Sequence, residues 1–203
     1  WQVDDDVIDP YWTVTGYYNT TRELGQALTW TVADIPERLL EKRRANPVEK
    51  PRYLNRTLEL TGRKSASDVQ DGLERLSAKH ATNGGHDRSI DLCLAPNMIS
   101  VGLDVGRLGT MVVAGQPKET SEYIQATSRV GRSDNHGIVF TAYNASKPRD
   151  RSHYENFKNY HQSFYKHVEP SSATAFCQQV RDRALPAILV ALYRMQNPSL
   201  ASC

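Results

Sequence analysis

The sequence predicts an α/β protein with a parallel sheet flanked by helices, followed by a helical extension. Two observations lead to this prediction. Short apolar, β-branched segments alternate with amphipathic segments as far as about residue 147. Beyond that point two helical patterns follow one another without a strand between them. We therefore expect one domain over residues 1–147 and a helical carboxy-terminal extension over residues 148–203.

The amino-terminal third of the predicted sheet domain begins with a strand and a capped helix. Residues 11–18 are β-branched and aromatic, which predicts a strand. Thr20 followed three residues later by Glu23 forms a capping box that begins a helix. Pro36 suits the first turn of a second helix. Residues 42–56 are charged, contain two prolines and show no period, so they predict a loop.

The remaining elements follow from the same periodicities. Strands are predicted at residues 57–61, 90–95, 110–114 and 138–142, and residues 80–87 predict a turn-rich loop. Helices are predicted from Ser65 onward and at residues 120–127, 153–168 and 179–194. Pro186 is expected to kink the last of these helices.

Composition excludes several classes of protein. The chain has 203 residues with 25 Lys and Arg against 23 Asp and Glu, a net charge of +2, which excludes a strongly basic tail. No apolar run approaches the length of a membrane span, so no membrane partner is expected. The three cysteines have no metal-binding spacing and predict reduced thiols in a cytoplasm, without a metal site. Residues 129–203 nevertheless hold 10 basic and 5 acidic residues, so a basic excess begins at Arg129.

The chain lacks the residues that usually hold Mg-ATP. A phosphate-binding loop needs the pattern GxxxxGK[ST]. The nearest stretch, residues 61–65, has Arg63 where Lys is needed and lacks the first Gly. No acidic stretch follows an apolar strand as a Mg²⁺ ligand. We expect this chain alone to be inactive as an ATPase.

Two other stretches contain residues that suit phosphate or ligand binding. In the first, Gln125, Arg129 and Arg132 follow a short predicted helix. Arg forks onto phosphate oxygens, and an Arg on a turn is able to reach a γ-phosphate held by another domain. The second stretch, residues 97–105, follows the strand predicted at 90–95, and ligands of open parallel sheets lie beyond the carboxyl ends of strands.

These stretches resemble motifs V (residues 97–105) and VI (residues 125–132) of the second RecA-like domain of superfamily-two helicases. Residues 13–23 are similar to motif IV, and Thr61–Gly62 to the phosphate-contacting segment between motifs IV and V. The tail from Arg149 onward resembles a narrower group, the large helicase-related proteins of bacterial phage-defence systems of the DISARM type. The resemblance implies a RecA-like fold and a motor half of an ATP-dependent nucleic-acid helicase or translocase.

The resemblance also implies residue roles at the nucleotide. Arg129 and Arg132 would contact ATP phosphates across an interdomain cleft, and Gln125 would help to read the γ-phosphate state. Gly102 and Asp104 would lie near the nucleotide. ATP and Mg²⁺ would be held mainly by a first RecA-like domain, which carries the phosphate-binding loop and is absent from this sequence.

A second set of residues is implied for the nucleic-acid backbone, with DNA expected rather than RNA. The set consists of Thr61, Gly62, Arg63, Asn97 and Ser100. One position departs from the family pattern. Pro96 stands where a Thr hydroxyl commonly donates to a phosphate, and proline has neither hydroxyl nor backbone donor.

Two alternatives stay open at this point. The first alternative is that the chain is one half of an ATP-dependent motor. The second, suggested by Pro96, is a helicase-like module that docks nucleic acid or protein and lacks useful catalysis. The aromatic residues of the extension either pack against the sheet or stack on single-stranded bases. These residues and their neighbours at helical spacing are Tyr154, Phe157, Tyr160, His161, Phe164, Tyr165 and Val168.

Overall fold

The computed structural model describes residues 4–47, 52–62, 64–80, 89–96, 104–169 and 178–197. A single five-stranded sheet forms the centre, and all of its neighbouring strands pair in parallel. In chain order the strands are β1 (Val14–Tyr18), β2 (Thr57–Glu59), β3 (Leu92–Ala95), β4 (Thr110–Ala114) and β5 (Ile138–Ala142). They lie side by side in the order β2-β3-β1-β4-β5. The predicted parallel α/β sheet is confirmed.

Helices connect and follow the strands. They are α1 (Asp5–Trp12), α2 (Thr21–Val32), α3 (Asp34–Ala45), α4 (Ala66–Ser77), α5 (Thr120–Thr127), α6 (Pro148–Glu155), α7 (Phe157–Gln162) and α8 (Gln178–Gln196), with a 3₁₀ turn over Phe164–His167. Two helix starts follow directly from local chemistry. The Thr20 side chain accepts from the Glu23 amide, and Ser65 and Asp68 form a complete capping box at α4.

Three stretches of the described residues differ from the sequence prediction; one of them is residues 153–168, where a break at Asn156 divides the predicted single helix between α6 and α7. Residues 11 and 12 end helix α1 instead of beginning a strand, so β1 is shorter than predicted. Asp4 caps α1, and the buried Asp9 fixes this helix by an ion pair with Arg107, a contact too distant in sequence to be read from periodicity. Residues 42–45 extend α3 and are not loop. The predicted loop at 80–87 falls, apart from its first residue, outside the described residues.

Apolar side chains cover both faces of the sheet. Along β1 and β3 successive residues alternate between two clusters, as the period of a strand requires. Tyr17 and Cys93 join the larger cluster with α4, α5 and α7, whereas Tyr18 and Leu94 join a smaller one with α2. Tyr17, Cys93 and Leu94 have no exposed surface, so the centre of the sheet is a closed core.

The chain divides into two compact units. The first extends to Val168 and the second begins at Glu169. Helices α6 and α7 therefore belong to the same unit as the sheet, and the buried Asp150 of α6 accepts from the Gln116 and Asn144 amides at the ends of β4 and β5. Compactness alone does not define an independently folding domain, so the boundary predicted at residue 147 stays a prediction.

Candidate functional site

Helix α5 leads from the carboxyl end of β4 to the predicted arginine pair. Parallel strands require the connecting chain to return to the amino edge of the sheet, and α5 makes this return. Gln125 is exposed on the helix and Arg129 is half-buried one turn later. The Ser128 and Arg129 amides close the helix on the Ile124 and Ala126 carbonyls at 3.0 and 3.1 Å. The arginines thus stand on a turn at the amino edge of β4 and β5.

Gly131 explains the spacing between the two arginines. Its φ of +70° lies in the left-handed region that glycine adopts without strain. The Gly131 amide donates to the Leu108 carbonyl at 2.8 Å, and Ile138 donates to the Gly109 carbonyl at the same distance. A Cβ on Gly131 would lie 2.5 Å from the Gly137 nitrogen. The chain therefore reverses tightly after Arg129 and presents Arg132 beside the segment 104–109.

Arg132 and Asp104 are in direct contact. A guanidinium nitrogen of Arg132 lies 2.5 Å from the Asp104 carboxylate, and the Ser133 hydroxyl donates to the Gly106 carbonyl at 2.9 Å. The Arg132 side chain is 36% exposed and that of Asp104 is 77% exposed. An ion pair this open contributes about 1 kcal/mol at most. A phosphate could therefore replace the carboxylate on Arg132 at little cost in stability.

Two of the predicted nucleic-acid residues, Thr61 and Gly62, lie at the opposite edge of the sheet. Thr61 and Gly62 follow the carboxyl end of β2, where the Leu60 amide donates to the Leu94 carbonyl at 2.9 Å. Gly62 is exposed, whereas Thr61 is buried. Strands of five residues separate this edge from the arginine turn by about 16 Å. The structure thus brings Arg132 and Asp104 together and keeps Thr61 and Gly62 apart from them.

Several predicted positions have no structural description. Arg63, Asn97, Ser100 and Gly102 lie outside the described residues. Pro96 is described, half-buried at the carboxyl end of β3. The roles expected for all of these residues stay predictions.

A buried polar network that the sequence did not indicate anchors the segment carrying Asp104. Arg107 forms an ion pair with Asp9 at 3.0 Å, with both side chains less than a tenth exposed. Arg107 also donates to the Thr13 hydroxyl at 2.6 Å and to the Leu76 carbonyl at 2.9 Å. It therefore fastens the segment to α1, to the residue that joins α1 to β1, and to α4. No sequence signal marks a single Arg for such a role, because its partners lie 31 to 98 residues away.

The aromatic residues of α6, α7 and the 3₁₀ turn divide into two groups. Tyr160 is buried and its hydroxyl donates to the Thr120 hydroxyl at 3.3 Å, so packing against the sheet is the correct interpretation for this residue. Tyr154, Phe157 and Tyr165 are 70%, 43% and 79% exposed. For these three the alternative of stacking on bases stays open.

Comparison with known proteins identifies the class. Residues 40–134 match the family described as the helicase conserved C-terminal domain. The fold is the RecA-like parallel sheet that the motifs implied, and the chain is a superfamily-two helicase C-terminal domain.

One relative with high identity is a DISARM protein. Over 194 residues, 96% of this chain, the sequence is 49% identical to the DISARM protein DrmA of Bacillus paralicheniformis (strain ATCC 9945a / NCIMB 11709 / CD-2). The domain is therefore of the DISARM type, as the tail had indicated. The chain spans 17% of that relative's length.

Two solved structures are similar at lower identity. The C-terminal part of the Fun30 ATPase domain matches 83% of this chain and 43% of its own, with 13% identity and a TM-score of 0.47. The yeast DEAD-box splicing factor Prp28 matches 86% and 37%, with 20% identity and a TM-score of 0.39. Among the helices of the described ranges, none is long and apolar enough to cross a membrane.

Proposed function

We propose that this domain is the second half of an ATP-dependent DNA helicase or translocase motor that works in the cytoplasm. In this motor Arg129 and Arg132 of the domain would contact a nucleotide that is held mainly by a first RecA-like domain of the same longer protein. The observation that carries this proposal is the contact between Arg132 and Asp104 on an anchored turn. Membership of a helicase family supports it.

The residues present suit part of an ATP site. Two guanidinium groups and the Gln125 amide are donors to phosphate oxygens, and the described residues include no cluster of acidic, His or Cys side chains that could hold Mg²⁺. ATP with Mg²⁺, when bound, supplies the phosphoryl group that water attacks. In the proposed closed state Arg132 would leave Asp104, donate to the phosphate oxygens and stabilise the charge that develops there. Asp104 is then free to accept from a ribose hydroxyl.

The nucleic-acid contact is proposed for the opposite edge of the sheet. Gly62 presents an exposed backbone there, which allows a phosphate to approach closely. Binding through phosphates is largely independent of base sequence and weakens with salt. Alternation of closed and open states of the motor would move this edge along the strand.

A docking module without catalysis is the second candidate. Pro96 favours it, because proline at the end of β3 removes both a backbone donor and the hydroxyl that helicases commonly place there. The two candidates differ in one measurable property, which is the dependence of ATP hydrolysis on the arginine pair.

The deciding experiment is Arg132→Ala in the complete protein, assayed for DNA-stimulated ATP hydrolysis. Loss of an arginine finger costs on the order of 10³-fold in rate. Arg38→Ala is the matched control, because Arg38 is an exposed arginine whose ion pair with Glu41 lies on α3. Since both ion pairs are exposed, neither variant should lower stability by more than about 1 kcal/mol. Equal, undiminished ATPase rates for the two variants would contradict the role of Arg132, whereas a complete protein without ATPase activity would favour the docking module.

A further inference from the structure

We propose that a groove beside β5 is a second contact for single-stranded DNA, in which bases stack on Tyr154 and Phe157. This inference rests on the proposed function, because it extends the nucleic-acid path of the motor. The groove has a volume of about 730 Å³. It lies where the end of β5 meets α6 and α7, and its lining residues are Thr141, Tyr143, Tyr154, Glu155, Asn156, Phe157, Lys158 and Asn159.

The aromatic rings of the groove are held in defined orientations and are accessible to solvent. Tyr143 contacts both rings nearly at right angles, with centroids 6.3 Å from Tyr154 and 6.5 Å from Phe157. Tyr154 is nevertheless 70% exposed and Phe157 43%. Large exposed aromatic side chains carry apolar surface that favours a partner, and every base has a face that stacks on such a ring.

The residues behind the rings, Gln116, Asn144 and Asp150, are fixed by buried and partly buried hydrogen bonds. The Asp150 carboxylate accepts from the Gln116 and Asn144 amides, both at 2.9 Å, and so holds α6 against the ends of two strands. The Tyr143 hydroxyl donates to the Gln116 side chain at 3.3 Å, and burial raises the pKa of Tyr143 to about 12. A wall already held in place loses little conformational entropy when a ligand binds.

Charge and composition favour a nucleic acid over a protein. Residues 147–168 contain five Lys or Arg against two acidic residues. Of these two, Asp150 is buried and Glu155 is paired with Arg151 at 2.9 Å. Among the described residues that line the groove, none is aliphatic, whereas a protein-docking groove usually presents Leu, Ile or Met. The aromatic rings of the groove suit bases, and the lysine and two asparagines beside them suit phosphates.

The groove also lies on the expected path. Tyr143 follows the carboxyl end of β5, and Gly62 follows the carboxyl end of β2 at the other side of the sheet. Four interstrand spacings separate these strands, which is about 19 Å. A single strand that contacts Gly62 and crosses the carboxyl edge therefore reaches the groove.

The test is binding of fluorescein-labelled oligo(dT) to this chain, followed by anisotropy. We expect Tyr154→Ala and Phe157→Ala each to weaken binding about tenfold, since one base–aromatic stack is lost. Trp30→Ala is the matched control, because Trp30 is an aromatic residue of α2 that is 46% exposed and lies outside the groove. It should bind as the unaltered chain does. Phe157→Leu keeps an apolar side chain without a stacking face and should behave like Phe157→Ala.

An abasic oligonucleotide of the same length separates stacking from charge. It keeps the phosphates, so the aromatic substitutions should not change its affinity. Equal oligo(dT) affinity for Tyr154→Ala and Trp30→Ala would overturn the proposed role of the groove. The absence of binding by the unaltered chain, or equal losses with both probes, would overturn it as well. A protein partner would be indicated if Tyr154→Ala impaired only a protein contact of the complete protein. The ATPase test of Arg132 decides the proposed function separately.

Discussion

Gly131 offers the sharpest test of how the arginine turn is built. Gly131→Ala places a Cβ 2.5 Å from the Gly137 nitrogen and 2.8 Å from its Cα, and both are backbone atoms that cannot rotate away. The φ of +70° also costs an alanine about 1–2 kcal/mol. Relief of the overlap adds about 1–3 kcal/mol. The free energy of unfolding should therefore fall by about 2–5 kcal/mol.

The assay is thermal unfolding followed by circular dichroism. For a chain of this size each kcal/mol lowers Tm by about 2–4 °C, so Gly131→Ala should lose about 4–20 °C. Gly25→Ala is the matched control, because Gly25 is exposed in α2 and a Cβ there would meet nothing within 4 Å. It should raise stability by about 0.5–1 kcal/mol, since alanine favours a helix. A Tm for Gly131→Ala at or above that of the unaltered chain would refute this account of the turn.

Two further predictions concern buried groups. Asp150→Asn should lower the free energy of unfolding by about 2–3 kcal/mol in a denaturant titration, because a neutral amide cannot replace a carboxylate that accepts two backbone bonds; the exposed Asp71→Asn should change it by less than about 0.5 kcal/mol. Burial raises the pKa of Cys93 to about 12. Its thiol should therefore react with a disulfide reagent only after unfolding, measured with Cys177 and Cys203 replaced by Ser. Rapid reaction of the folded chain would contradict its burial.

The helix caps and several element bounds could be predicted from the sequence. The caps at Thr20 and Ser65 need only residues three apart, and both are present. The bounds of β4, β5 and α5 also agree with the prediction, because their hydrophobic periods are uninterrupted. The resemblance to helicases, carried by two short motifs, is confirmed by the family match.

Features that depend on contacts between residues far apart in the sequence could not be predicted. Residues 11 and 12 look like strand, yet they end a helix that the ion pair of Asp9 with Arg107 fixes across 98 residues. The aromatic residues after 153 also share one apparent period. The helix breaks at Asn156, so Tyr154 and Tyr160 face different surroundings, and periodicity alone could not assign one to the core and the other to solvent.

Helix α5 connects the two regions to which we assign function. Near its start, the Thr120 hydroxyl accepts from Tyr160, which lies among the helices that form the groove. In its middle, the Tyr123 hydroxyl lies 3.2 Å from both Thr141 of β5 and His161 of α7. Beyond its end, the Gly131 amide donates to the Leu108 carbonyl and sets the arginine turn. A helix held near its start, in its middle and by the turn that follows it cannot shift without moving its neighbours. In the proposed motor, the arginine turn and the groove would therefore move together when Arg132 closes on a phosphate. A movement at the nucleotide would in this way be transmitted to the bound DNA strand.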